Sequence, residues 1–124
     1  MDNYTLIPSP KTPRINFKEN GSLEMSGRSI PENSVDFYQP ALDWVGEYAK
    51  QPASETRLVV KLEYFNTSTS KCLIEMFRKL ETITDKSTVK IEWHYEEEDE
   101  DMMESGKDFQ HILKIPLELI VSEL

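Results

Sequence analysis

Four hydroxyl side chains follow one another at Thr67, Ser68, Thr69 and Ser70, between the strand-type residues Tyr64 and Phe65 and the cation Lys71. Hydroxyls at a strand-to-helix junction have two uses. One of Ser68, Thr69 or Ser70 can accept a hydrogen bond from a first-turn amide and cap the helix. Alternatively the run can carry or bind an anion, because the unpaired amides of a helix start and a nearby lysine make a phosphate site. Two features favour the anion. A helix has one N-cap, which leaves the other hydroxyls without that task. Lys71 lies in the first turn, where the macrodipole disfavours a cation. The anion would be a bound ligand, or a phosphate esterified to one of the hydroxyls.

Other candidates carry weaker chemistry. Glu96–Asp101 reads EEEDED but lacks the spaced oxygens and turn glycine of a calcium loop, so it reads as a solvated acidic helix start. A phosphate of charge near −2 on a neighbouring loop would add to that negative edge. His94 and His111 fall on an outward strand position and late in a helix, and read as surface histidines. Cys72 stands near a helix start, which can lower a thiol pKa. No base or orienting group accompanies it, so it reads as a packed thiol. The four glycines form no phosphate loop, and no nucleophile–base set is visible. The expectation is therefore a non-enzymatic protein with no catalytic residue, metal or cofactor.

A net charge of −9 over 124 residues argues against nucleic acid or an anionic membrane as partner, since both require a basic footprint. No apolar run approaches the ~18 residues of a membrane span, and no signal-peptide pattern opens the chain, which points to the cytoplasm. Residues 1–11, with Pro8 and Pro10, read as a flexible lead-in, and residues 12–124 as a single domain.

The elements that would position the hydroxyl run follow from periodicity. Pro13–Phe17 and Ser22–Ser26 alternate around Asn20-Gly21, a hairpin signal, with Ile15, Phe17, Leu23 and Met25 inward. Asn33 caps a helix running to about Ala49, with Val35, Tyr38, Leu42, Val45 and Ala49 on its apolar face and a kink or restart expected at Pro40. Arg57–Phe65 is a strand with Leu58, Val60, Leu62 and Tyr64 inward. After the hydroxyls, Leu73, Met76, Phe77, Leu80 and Ile83 form a helical stripe. Thr88–Glu96 is a strand with Val89, Ile91, Trp93 and Tyr95 inward. Asp99–Leu113 is a helix, and Leu117–Val121 a last strand. Outward Lys61, Glu63, Lys90 and Glu92 are placed to pair across strands. The predicted order is β-β-α-β-α-β-α-β: an α/β fold with one open mixed sheet and helices on one face. Right-handed crossovers make the last four strands parallel, which puts Gly27–Ser34, Asn66–Ser70 and Glu96–Asp101 at one edge of the sheet.

The segments IPENS (Ile30–Ser34), LDWV (Leu42–Val45), YFNTSTSK (Tyr64–Lys71), WHYEEEDEDM (Trp93–Met102) and SGKDF (Ser105–Phe109) together resemble the SiaC family of bacterial regulatory phosphoproteins. The resemblance runs from about Thr12 to the C-terminus. It implies a STAS-like fold, similar to SpoIIAA anti-sigma-factor antagonists, and a switch phosphorylated by a partner kinase and reset by a PP2C-type phosphatase. It further implies that the unmodified form binds and activates a diguanylate cyclase, raising cyclic-di-GMP and promoting biofilm formation. The family's acceptor, the Thr after Asn, falls on Thr67, with Ser68 and Thr69 as alternates. Asn66 would then fix the turn, Ser68 would support the phosphoryl oxygens, and Lys71 with Arg28 would neutralise them. Pro31, Glu32, Asn33 and Ser34 would belong to the partner surface. An anion- or nucleotide-binding module using the same loop non-covalently, and an enzyme built on Cys72 or a metal at the acidic run, stand as the alternatives.

Overall fold

The computed structural model describes residues 1–124. Alternating polarity produces five of the six strands, the edge of the second produces the first, and the 3.6-residue stripes produce three helices, in the order β1 (Tyr4–Leu6), β2 (Arg14–Phe17), β3 (Ser22–Ser29), α1 (Ser34–Tyr48), β4 (Glu55–Phe65), α2 (Thr67–Glu81), β5 (Thr88–Tyr95), α3 (Glu100–Ile112) and β6 (Leu117–Val121). All six strands pair in sequence order as one sheet. The first three are antiparallel, and β3 to β6 are parallel, as the α crossovers require. The inward residues of the strands and the helical stripes meet in one core of 26 buried residues, with Phe17, Tyr38, Tyr48, Phe77 and Trp93 its largest fully buried members.

Four features depart from the sequence reading. Tyr4–Leu6, within the expected lead-in, pairs antiparallel with β2. α1 continues through Pro40, which lies on the exposed side of the helix, where a carbonyl left without its donor can be solvated. Val35 is 64% exposed, and Ala41, Trp44 and Tyr48 join the expected Tyr38, Leu42 and Val45 on the buried face of α1. Tyr64, expected inward, is 53% exposed. Its reversal comes from a bulge. The β3–β4 register steps from Gly27 opposite Leu62 to Arg28 opposite Tyr64, leaving Glu63 without a partner. Gly27 takes the left-handed φ of 105° that eases such an irregularity. Beyond the bulge the alternation is out of phase, so Phe65 turns inward and meets the Trp93 ring edge-on at 5.8 Å.

The open face of the sheet is held by charge. Glu92 is 5% exposed there and is gripped by Arg57 through Nε and Nη2, while Lys90 Nζ reaches Glu118 at 2.8 Å. The expected Lys61 and Glu63 take no part in these pairs. The Arg57 hydrogen bonds hold the Glu92 carboxyl below the usual carboxylate range, against the opposing effect of burial. His94 is not free on the surface: its Nε2 lies 3.2 Å from Glu92 and its Nδ1 3.1 Å from Ser122 Oγ.

Candidate functional site

The three helices begin at the carboxyl edge of the parallel strands, and each has a side-chain oxygen cap. Asn33 Oδ1 accepts from Asp36 N at 3.1 Å, Asn66 Oδ1 from Thr69 N at 2.9 Å and Asp99 Oδ1 from Met102 N at 3.0 Å. The N-cap of α2 is therefore Asn66, and not Ser68, Thr69 or Ser70 as the capping reading had it. All four hydroxyls of the run form the first turn of the helix itself.

Three of those hydroxyls are committed. Thr69 is fully buried, donates to Ser29 O at 3.2 Å and sits 2.8 Å from Ser29 Oγ. With its proton so placed, Thr69 Oγ1 accepts from Ser29, and Ser29 in turn accepts from the Tyr38 hydroxyl at 2.6 Å. Burial pushes the Tyr38 hydroxyl far above its ordinary pKa, which keeps it a donor. Ser68 donates to Asn66 Oδ1 at 3.1 Å and accepts from Ser34 Oγ, 2.7 Å away. Ser70 donates to Thr67 O at 2.7 Å, the back-bond common for helical serine. Thr67 is exposed, and its hydroxyl enters none of these bonds.

Thr67 opens onto a groove of about 480 Å³ running from the end of β4 between α2 and α3. Tyr64, Phe65, Ile74, Met102, Phe109 and Ile112 supply its apolar lining, and Glu63, Asp99, Asp101 and Asp108 its carboxylates. No lysine or arginine lines it. α3 reaches this position because Gly106 lets it lie against the sheet, where an added Cβ would come within 2.5 Å of Trp93. The Trp93 indole N–H donates to Met102 O at 2.9 Å and ties the same helix from its first turn.

The remaining candidates scatter. Lys71, expected in the first turn, is exposed one turn beyond Thr67 because α2 already starts at Thr67, and Arg28 is exposed on β3; neither enters an ion pair nor lines the groove. Of the expected partner surface, Pro31 and Ser34 are buried, which leaves Glu32 and Asn33 exposed. Cys72 is 6% exposed, with Sγ 3.7 Å from Ser34 O. Burial raises its thiol pKa, so the adjacent helix start does not activate it. No three His, Cys, Asp or Glu side chains come together in a metal-binding group, and no helix is long and apolar enough to cross a membrane. Tyr64 and Ile112 in the groove, and the Ser34–Ser68 contact, escaped the sequence reading. The first two depend on which sheet and helix faces meet, and the third spans 34 residues.

The SiaC family of regulatory phosphoproteins is matched by residues 7–122. The chain belongs to the SiaC family. It is accordingly a regulator rather than an enzyme, and its α/β fold is that of solved SiaC structures. An uncharacterised protein of Pseudomonas aeruginosa is 29% identical over 118 residues, 94% of each chain. The crystal structure of apo-SiaC from Pseudomonas aeruginosa superposes with a TM-score of 0.88 at 26% identity, covering 98% of this chain and all of that one. A further match, at TM-score 0.89 and 26% identity over 96% of this chain and 99% of the other, comes from the structure of the diguanylate cyclase SiaD in complex with its activator SiaC from the same organism.

Proposed function

We propose that this SiaC family member is a phosphorylation-controlled partner-switching regulator acting in the cytoplasm. Unmodified, it binds and activates a diguanylate cyclase, as its Pseudomonas relative is an activator of SiaD. A partner kinase phosphorylates Thr67 and a PP2C-type phosphatase removes the phosphate. One observation carries this reading: Thr67 alone of the four hydroxyls is both exposed and unbonded, and it stands on the lip of the groove.

The groove has apolar lining for a partner and carboxylates to orient it. A phosphate of charge near −2 at Thr67 adds bulk and charge where four carboxylates already stand and no cation lines the wall. The first-turn amides of α2 and the exposed Lys71 stabilise that phosphate within the chain. The partner gains no such compensation when its surface is desolvated against it. An uncompensated charge at a closing interface costs about 3 kcal/mol, roughly two orders of magnitude in affinity. The acidic lining also disfavours the alternative of a free anion held non-covalently.

The test compares wild type, Thr67→Ala and Thr67→Glu for binding to the purified cyclase and for labelling by the kinase. Thr67→Ala should bind as wild type does and take no label, and Thr67→Glu should bind at least tenfold more weakly. Full labelling of Thr67→Ala would remove the site assignment. Undiminished binding by Thr67→Glu would remove the electrostatic mechanism.

A further inference from the structure

We propose that Ser34, the first residue of α1, restricts phosphorylation of the α2 first turn to Thr67 by holding the Ser68 hydroxyl out of reaction. This rests on Thr67 being the acceptor and adds what makes it the sole one.

Phosphoryl transfer asks three things of an acceptor hydroxyl. It must reach solvent, turn its proton to the kinase's base, and present a lone pair to the γ-phosphorus of the nucleoside triphosphate. The oxygen–phosphorus bond to the acceptor forms as the bond to the β-γ bridging oxygen breaks. The proton passes to the base, and the nucleoside diphosphate leaves. Ser68 follows Thr67 directly and is itself an exposed residue, so sequence and accessibility alone would leave it a competitor. Its hydrogen bonds decide otherwise. Its proton is given to Asn66 Oδ1 at 3.1 Å, and its oxygen receives the Ser34 proton at 2.7 Å. The proton and one of the two lone pairs of the hydroxyl are engaged, and the Ser34 side chain approaches from α1, which packs on α2.

Ser34 is suited to this. It is 4% exposed, and its main-chain oxygen lies 3.7 Å from Cys72 Sγ, so the residue is fixed against α2 at two points. The cap of α1 is the separate Asn33 side chain, so removing the Ser34 hydroxyl leaves that helix start intact. Thr69 is fully buried, and Ser70 is half-buried as well as bonded to Thr67 O, so Ser68 is the competitor that accessibility leaves open.

The experiment labels Thr67→Ala and the double variant Ser34→Ala/Thr67→Ala with ATP and a soluble extract of the native host, and maps the phosphate by fragmentation mass spectrometry. Wild type should carry phosphate on Thr67, Thr67→Ala none above the background of an unlabelled control, and the double variant phosphate on Ser68 at roughly five times that background or more. That factor is the Boltzmann weight of one neutral hydrogen bond. Ser34→Cys/Thr67→Ala, nearly isosteric and a much poorer donor, repeats the test with the cavity filled, and circular dichroism checks that each variant is folded. A folded double variant of either kind that stays as unlabelled as Thr67→Ala overturns the role of Ser34. Wild type labelled elsewhere than Thr67 overturns the acceptor assignment instead, so the two failures are distinguishable.

Discussion

Replacing Gly106 with alanine should push α3 away from the sheet and open the groove wall. A Cβ built at this position lies 2.5 Å from Trp93 Cδ1, 2.6 Å from Leu119 Cδ2 and 2.8 Å from Trp93 Nε1. Trp93 cannot yield: it is fully buried, its indole N–H is bonded to Met102 O, and its ring packs on Phe65 and Phe109. The helix must therefore lift by about 1 Å to restore ordinary contact distances. Forcing a methyl into a packed site costs about 1–3 kcal/mol, and the contact with an immobile indole puts this site near the upper figure. Alanine recovers about 1 kcal/mol of helix propensity over glycine. The net loss is about 2 kcal/mol, or a fall in Tm of about 8 °C for a chain of this length. Calorimetry with near-ultraviolet circular dichroism of Trp93 reads both the stability and the packing. Because Met102, Phe109 and Ile112 move with the helix, affinity for the proposed cyclase partner should fall in the same variant. A Tm equal to or above that of wild type would refute the close-approach argument, since propensity alone would then be governing.

Three other outcomes follow from the geometry. Asn66→Ala removes the α2 cap and the acceptor of the Ser68 hydroxyl together, and should cost about 1–2 kcal/mol in urea unfolding; an unchanged midpoint would contradict the cap assignment. Glu92 has its folded pKa depressed by Arg57, so its contribution is present above the unfolded carboxylate pKa and is lost as pH falls through the folded value. Arg57 is 60% exposed, which limits the pair to roughly 1 kcal/mol, and Glu92→Gln should lower stability at neutral pH while flattening its acid dependence; a variant with the wild-type acid profile would show that other carboxylates govern it. Cys72, buried and with its thiol pKa raised, should react with iodoacetamide far more slowly than a free thiol at pH 8 and at full rate in denaturant, whereas rapid alkylation of the native chain would show an accessible thiolate.

Much of this molecule could be read one segment at a time. Leu58, Val60 and Leu62, or Val89, Ile91 and Trp93, alternate because a strand has two faces, and burial follows that alternation except at Val59 and Glu92, which are covered on the open face. Asn33 and Asp99 cap where local chemistry places them. The common edge for the three loops follows from the handedness of the crossovers, so the neighbourhood of the hydroxyl run was already implied. Tyr4–Leu6 was missed because three residues beside Pro8 and Pro10 are too short to show a period, and their strand character comes from the edge that β2 offers. Tyr64 was misplaced because the bulge belongs to the pairing of β3 with β4 and to neither strand alone.

The hydroxyl run shows the division most sharply. By itself the sequence determined that four hydroxyls and a lysine open a helix beside an acidic segment, since strand and helix periods and turn chemistry act over a few residues. Only the tertiary structure decided which hydroxyls were already employed: Thr69 by Ser29, 40 residues away, and Ser68 by Ser34, 34 residues away. Hydrogen bonds of about 3 Å require elements distant in the chain to meet in one register, and no local pattern carries that information. Thr67 stands out as the open position because its neighbours found partners.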